Sequence, residues 1–172
     1  MPQNIVVKTA ESGPVAWAAA LAAKAGDDLG LVLTAIDFAK EKVSGGRIEE
    51  ERDYAGIRFN TFDEPIFIGS AIAQLAGHAE AVVVDGIEDW AARLLKRFPD
   101  LPIERDAEIA SLTSVMHARM ADLILIVRPA VPADAATREV LRIALVAIEA
   151  EADAIVELRG VTATALKGTL PR

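Results

Sequence analysis

Short, almost continuously apolar runs, Ile5–Val7, Leu31–Thr34, Ala81–Asp85, Leu123–Val127 and Ile155–Leu158, alternate along this chain with longer stretches of helical pattern. A strand that is apolar at every position has no face to give to water, so it belongs inside a sheet covered on both sides. Alternation of such strands with helices is the pattern of parallel strands joined by crossovers. The reading is an α/β fold with a doubly wound, mainly parallel sheet, helices on both faces, and a last strand near Ala163–Leu166.

Helices are expected over Pro14–Ala25, Pro65–Ala76 and Ala133–Glu151, the first started by Ser12 and Pro14, because proline is preorganised for a first helical turn. Asp89–Ala121 divides into two helices at Pro99 and Pro102, since proline removes a donor and clashes with the preceding turn. The polar segment Asp37–Tyr54 resists assignment. Ser44, Gly45 and Gly46 interrupt what would otherwise be a helix, and its charges from Arg47 to Asp53 read as a solvated face. No linker separates a second unit, so residues 1–172 are expected to form one domain.

A chain of 172 residues that is 52% hydrophobic can bury a core without metals or disulfides. It has no cysteine, which excludes a disulfide framework, a thiolate metal site and a cysteine nucleophile. The net charge is −8 with scattered basic residues, so no nucleic-acid footprint is expected. Neither a leader nor an apolar run of roughly 18 residues is present, so the expectation is a cytoplasmic protein without membrane partners.

The stretch Ile5–Trp17 has the layout of strand, glycine turn and helix, which points backbone N–H groups and a helix dipole at one place suited to an anion. A working phosphate loop, G-x-x-x-x-G-K-S/T, also needs a lysine for the terminal phosphates and a hydroxyl for Mg²⁺. Here Gly13 is followed by Pro14 and Val15, which supply neither. The loop is either a worn phosphate site or an ordinary strand-to-helix turn. Asp85 ends a strand, where α/β enzymes hold Mg²⁺ through water, and Glu88 and Asp89 suit either that role or the positive end of the next helix. His78 and His117 have no metal-binding spacing, and Ser12, Ser70, Ser111 and Ser114 have no nucleophile-elbow context.

In order and spacing these segments resemble the adenosylcobinamide kinase/adenosylcobinamide-phosphate guanylyltransferase family of cobalamin biosynthesis over almost the whole chain. Lys8-Thr9-Ala10-Glu11-Ser12-Gly13-Pro14-Val15 and the following AWAAALA are similar to the family's loop T-G-G-x-R-S-G-K-S and its helix. LTAIDF, RIEEER, Phe59, Thr61 and DEP resemble its second block, with Glu51 where the family has its histidine and Arg52 where it has the next arginine. VVVDGIEDWAARLL retains Asp85, Trp90, Leu94 and Leu95 of the third block. VRPAVP keeps only Arg128 and Pro132 near the fourth, S-N-E-V-G-x-G-I-V-P, while Ala152, Asp153 and Leu166–Gly168 resemble the close of the family's sequence.

The resemblance implies a P-loop NTPase-like, RecA-type fold, a trimer or similar homo-oligomer, and a vestigial nucleotide cleft made of Lys8, Thr9, Ser12, Gly13, Glu51, Arg52 and Asp85. It assigns no catalytic residue and no metal ligand here, because the loop lysine, its hydroxyl partner, the covalent histidine and the fourth-block glutamate are all replaced. The expected function is that of a catalytically impaired binding or regulatory paralogue in a corrinoid or nucleotide setting. The alternatives are an active nucleotide-dependent transferase that uses GTP or ATP with Mg²⁺ through substitutes such as Lys8, Arg52 or Arg128, and a purely structural oligomer subunit.

Overall fold

The computed structural model of the chain describes residues 1–35 and 49–171. Strands β1 (Asn4–Thr9), β2 (Leu29–Leu33), β3 (Glu49–Tyr54), β4 (Ile57–Asp63), β5 (Ala81–Asp85), β6 (Asp122–Val127), β7 (Ala154–Arg159) and β8 (Thr162–Lys167) form one sheet in the order β3-β4-β2-β5-β6-β1-β7-β8. The six strands from β4 to β7 in that order run parallel, and the hairpin partners β3 and β8 lie antiparallel at the edges. The expected doubly wound sheet is the one observed.

Among the described residues the helices are α1 (Ala16–Ala23), α2 (Ile68–Ala76), α3 (Ile87–Arg97), α4 (Pro102–Ala118) and α5 (Ala135–Glu151). Successive strand residues point to opposite faces. On β1, Ile5 and Val7 therefore join Ala18, Ala19 and Ala22 of α1 in one apolar layer. Val6 joins Ile72, Trp90, Leu112 and Leu141 of the other helices in the second. Small alanines let α1 lie close to its face. The second layer is anchored by Trp90, fully buried with its Nε1 donating to the Ile66 carbonyl at 2.8 Å, so the indole brings no unpaired donor inside.

Two helix starts differ from expectation for visible reasons. α2 begins at Ile68 rather than Pro65, because Glu64 Oε1 accepts from the backbone N–H of Ile66 (3.2 Å) and Phe67 (2.9 Å) and holds those residues in a preceding turn. α1 begins at Ala16, with Val15 in extended conformation as its N-cap and no side chain capping it, so Ser12 and Pro14 lie outside the helix.

The polar segment resisted assignment from sequence; its end is strand β3, paired with an unforeseen β4 across a two-residue turn. Both turn residues have positive φ, 54° at Ala55 and 83° at Gly56, the signature of a type I′ hairpin turn whose twist matches its strands. Asp53 Oδ1 accepts from Gly56 N–H at 3.1 Å and closes the turn. Residues 36–48, including Asp37, Ser44, Gly45, Gly46 and Arg47, lie outside the described residues. No helix among the described residues is long and apolar enough to cross a membrane.

Candidate functional site

Loops at the carboxyl ends of parallel strands open on one edge of a doubly wound sheet. There β1 delivers the loop Ala10–Val15, β5 delivers Asp85, and β6, lying between them, delivers Arg128. The loop carrying Ser12 and the strand end carrying Asp85 are not adjacent: β6 separates β1 from β5, and its end stands between the two.

Arg128 fills that space. Its Nη1 donates to Asp85 Oδ1 at 2.6 Å and to Glu88 Oε1 at 3.2 Å. Its Nη2 donates to the Gly13 carbonyl at 2.7 Å, and Nε donates to the Glu11 carbonyl. Its backbone N–H donates to Glu88 Oε2 at 2.9 Å, so Glu88 grips the residue from both ends. Arginine suits this position because its planar fork offers several fixed donors at once, where lysine would offer a single point charge.

Tyr54 joins the network from the far hairpin. Its hydroxyl donates to Asp85 Oδ2 at 2.6 Å and accepts from the Val15 N–H at 3.0 Å. Both Asp85 oxygens are thus engaged, one by a guanidinium and one by a phenol. Burial, then the Asp85 charge and hydrogen bond, push the Tyr54 phenol well above its ordinary range. Burial likewise raises Glu88, which is 3% exposed, although the Arg128 N–H and charge pull the other way. Burial also raises Asp89, against the pull of Arg128 and Arg93. For Arg128 itself burial opposes the charge, but the bonds and charges of Asp85 and Glu88 outweigh it and hold the guanidinium above its usual value.

Backbone geometry after β5 supports the arrangement. Gly86 has φ +103°, and a Cβ there would sit 2.3 Å from Thr34 Oγ1, which donates to the Gly86 carbonyl at 2.6 Å. Only glycine permits this close turn, which starts α3 at once and places Glu88 in its first turn beneath Arg128.

The other residues expected at the site divide. Gly13 and Asp85 meet through Arg128. Thr9 is buried, and its Oγ1 accepts from Glu11 N–H at 3.1 Å, shaping the loop from within. Ser12 is exposed on the loop. Lys8 is held by Glu149 of α5 at 2.6 Å. Glu51 and Arg52 stay in the β3–β4 hairpin: Glu51 is exposed and pairs with Arg58 at 3.4 Å, while Arg52 grips Asp63 bidentately at 2.8 and 2.7 Å. Tyr54 and the paired role of Glu88 were not foreseen. The available signal for Tyr54 was the run Asp53-Tyr54-Ala55-Gly56-Ile57, a hairpin turn beside the single tyrosine of the chain.

The loop differs from a phosphate cradle at three points: the carbonyls of Glu11 and Gly13 accept from the Arg128 side chain, Pro14 has no N–H, and the Val15 N–H is taken by Tyr54. The two carbonyls suit a cation, and the Arg128 guanidinium supplies it. No group of three or more His, Asp or Glu side chains among the described residues is arranged to hold a metal.

No family model and no curated protein matches the sequence. Among solved structures, a KaiC-like protein from the hyperthermophilic archaeon Pyrococcus horikoshii OT3 is similar, with a TM-score of 0.52 at 15% identity, covering 99% of this chain and 81% of that one. A second Pyrococcus horikoshii OT3 protein has a TM-score of 0.49 at 12% identity, covering 96% of this chain and 86% of that one. The likeness to the KaiC-like structure, with the mostly parallel eight-stranded sheet, shows a P-loop NTPase-like α/β fold of RecA type. It reaches the fold and stops short of the adenosylcobinamide kinase family.

Proposed function

We propose that this chain is a non-catalytic P-loop-fold protein, a binding or regulatory relative of nucleotide enzymes whose phosphate cleft is held shut by its own arginine. The observation that carries this reading is the side chain of Arg128, which spans Asp85, Glu88 and the carbonyls of Glu11 and Gly13. Phosphoryl transfer depends on donors aimed at developing negative charge. In this cleft the inward-facing loop groups are acceptors. An active-enzyme reading would need Lys8, Arg52 or Arg128 free to meet phosphate, and each is engaged by a carboxylate: Glu149, Asp63 and Asp85 respectively.

The finer setting, a corrinoid or nucleotide pathway, rests on the sequence resemblance around Asp85, Trp90 and Leu166–Gly168. Titration calorimetry with GTP and ATP, each with and without Mg²⁺, tests the core of the proposal. No heat attributable to low-micromolar binding is expected, because each missing charge-assisted bond removes roughly 1.5 to 3 kcal/mol. Pro14→Lys alone should not restore binding, since the Arg128 fork and the inward carbonyls remain. A low-micromolar dissociation constant for the unmodified chain would refute the reading.

A further inference from the structure

The two edges of the sheet are built differently. β3 carries the sequence Glu-Glu-Glu-Arg-Asp-Tyr, and a charged edge strand resists pairing with another chain. β8, Thr162–Lys167, has Lys167 as its single charge, and that ammonium donates to the Glu149 carbonyl of its own chain at 2.7 Å. Thr162, Thr164 and Leu166 are exposed, and no described strand lies beyond β8.

The direction of the unpaired backbone groups follows from the hairpin. Arg159 and Thr162 close a two-residue turn at Gly160-Val161, with Gly160 at φ +59°. The closing pair of such a hairpin exchanges both its hydrogen bonds, and pairs then alternate. Thr162 and Thr164 therefore bond inward to Arg159 and Glu157, while the N–H and C=O groups of Ala163 and Ala165 face outward. The regular stretch ends there, because Leu166 is an extra residue opposite the step from Ile155 to Val156.

We infer that this edge pairs antiparallel with β8 of a second copy about a two-fold axis at Thr164. A dyad at that residue sets Ala163 opposite Ala165 of the second copy and the reverse, so the outward groups satisfy one another across both junctions. Thr164 meets its own counterpart in the closer, non-hydrogen-bonded type of pair, an arrangement favourable for threonine and free of charge. The Thr-Ala-Thr-Ala order is thus self-complementary, and the two sheets become continuous. On β3 the same operation at Glu51 would set two glutamates face to face. The inference is independent of whether the Arg128 cleft binds nucleotide.

Sedimentation velocity over a concentration series tests it, with variants at the exposed Thr164. The unmodified chain should pass from monomer to dimer mass. Thr164→Lys and Thr164→Glu should each remain monomeric, and their equimolar mixture should regain the dimer. Because the chain has no cysteine, Thr164→Cys adds an independent reading. It should oxidise to a covalent dimer much faster than Thr162→Cys, whose counterpart is offset across the dyad. Monomer mass at every concentration, a dimer that survives Thr164→Lys, or equal oxidation of the two cysteine variants would each overturn the pairing.

Discussion

The Tyr54 hydroxyl stands 2.6 Å from Asp85 Oδ2, although their strands β3 and β5 have β4 and β2 between them. One phenol thus ties the edge hairpin to the loop before α1, since the same oxygen accepts from Val15 N–H. Tyr54→Phe removes both bonds and leaves a buried donor unmet, for a loss of roughly 1 to 3 kcal/mol in urea unfolding.

Tyr54 is the single tyrosine, so the ultraviolet phenolate band reports it alone. Its ionisation is pushed upward by burial and then by Asp85. A folded-state value above the unfolded one gives stability that is complete below the unfolded value, about 10, and is lost as pH rises through the folded value. The folded chain should therefore show little phenolate at a pH where free tyrosine is half ionised, and the band should appear together with loss of structure. A simple titration near the free value, with the fold intact, would contradict the Asp85 bond.

Removing Arg128 leaves Asp85 and Glu88 without their shared counter-charge. Arg128→Met should cost about 3 to 5 kcal/mol, the range for breaking one side of a buried ionic network. Adding Asp85→Asn and Glu88→Gln to that variant should recover much of the loss. Arg128→Lys should remain well below the original, because one ammonium cannot span four acceptors. A urea midpoint for Arg128→Met equal to that of the unmodified chain would show that the network contributes nothing.

Acid unfolding should separate two carboxylates of opposite sign. Glu88 is raised by burial, so its contribution is present below the unfolded carboxylate value and is lost as pH rises through the folded one. Asp153 is lowered by its hydrogen bond from Arg119, so its contribution is present above the unfolded value and is lost as pH falls through the folded one. Above about pH 4, Glu88→Gln should make stability rise more steeply with pH. Below about pH 4, Asp153→Asn should make it rise less steeply. Urea titrations on either side of that pH read the two slopes.

Ala55 occupies left-handed backbone at φ 54°, where its Cβ is crowded. Ala55→Gly should stabilise the hairpin by about 0.5 to 1 kcal/mol after the entropic cost of glycine is counted. A lower thermal midpoint would contradict the turn type.

The parallel core was legible because Ala81–Val84 and Leu123–Val127 are apolar at every position, a pattern that only a doubly covered strand explains. The β3–β4 hairpin was not. Its strands are polar on one side and carry Glu51, Arg52, Asp53, Arg58 and Asn60, which in sequence look like a solvated segment. At the site, Asp85 and Gly13 were visible from their positions after strands. Arg128 was visible only as a remnant of a shortened block. Its role depends on sheet order, since β6 enters between β1 and β5 through pairings remote in sequence. Local pattern carries no information about which strand end arrives beside which.

That insertion of β6 has a consequence for how the chain behaves in a cell. A protein whose strand-end loops are organised by a ligand gains stability by mass action, and its unfolding temperature follows the ligand concentration. Here the organising cation, Arg128, is covalently attached at the end of the strand between the two loops, at a high effective concentration. The fold should therefore mature as soon as β6 is in place, and its lifetime should not vary with the nucleotide pool.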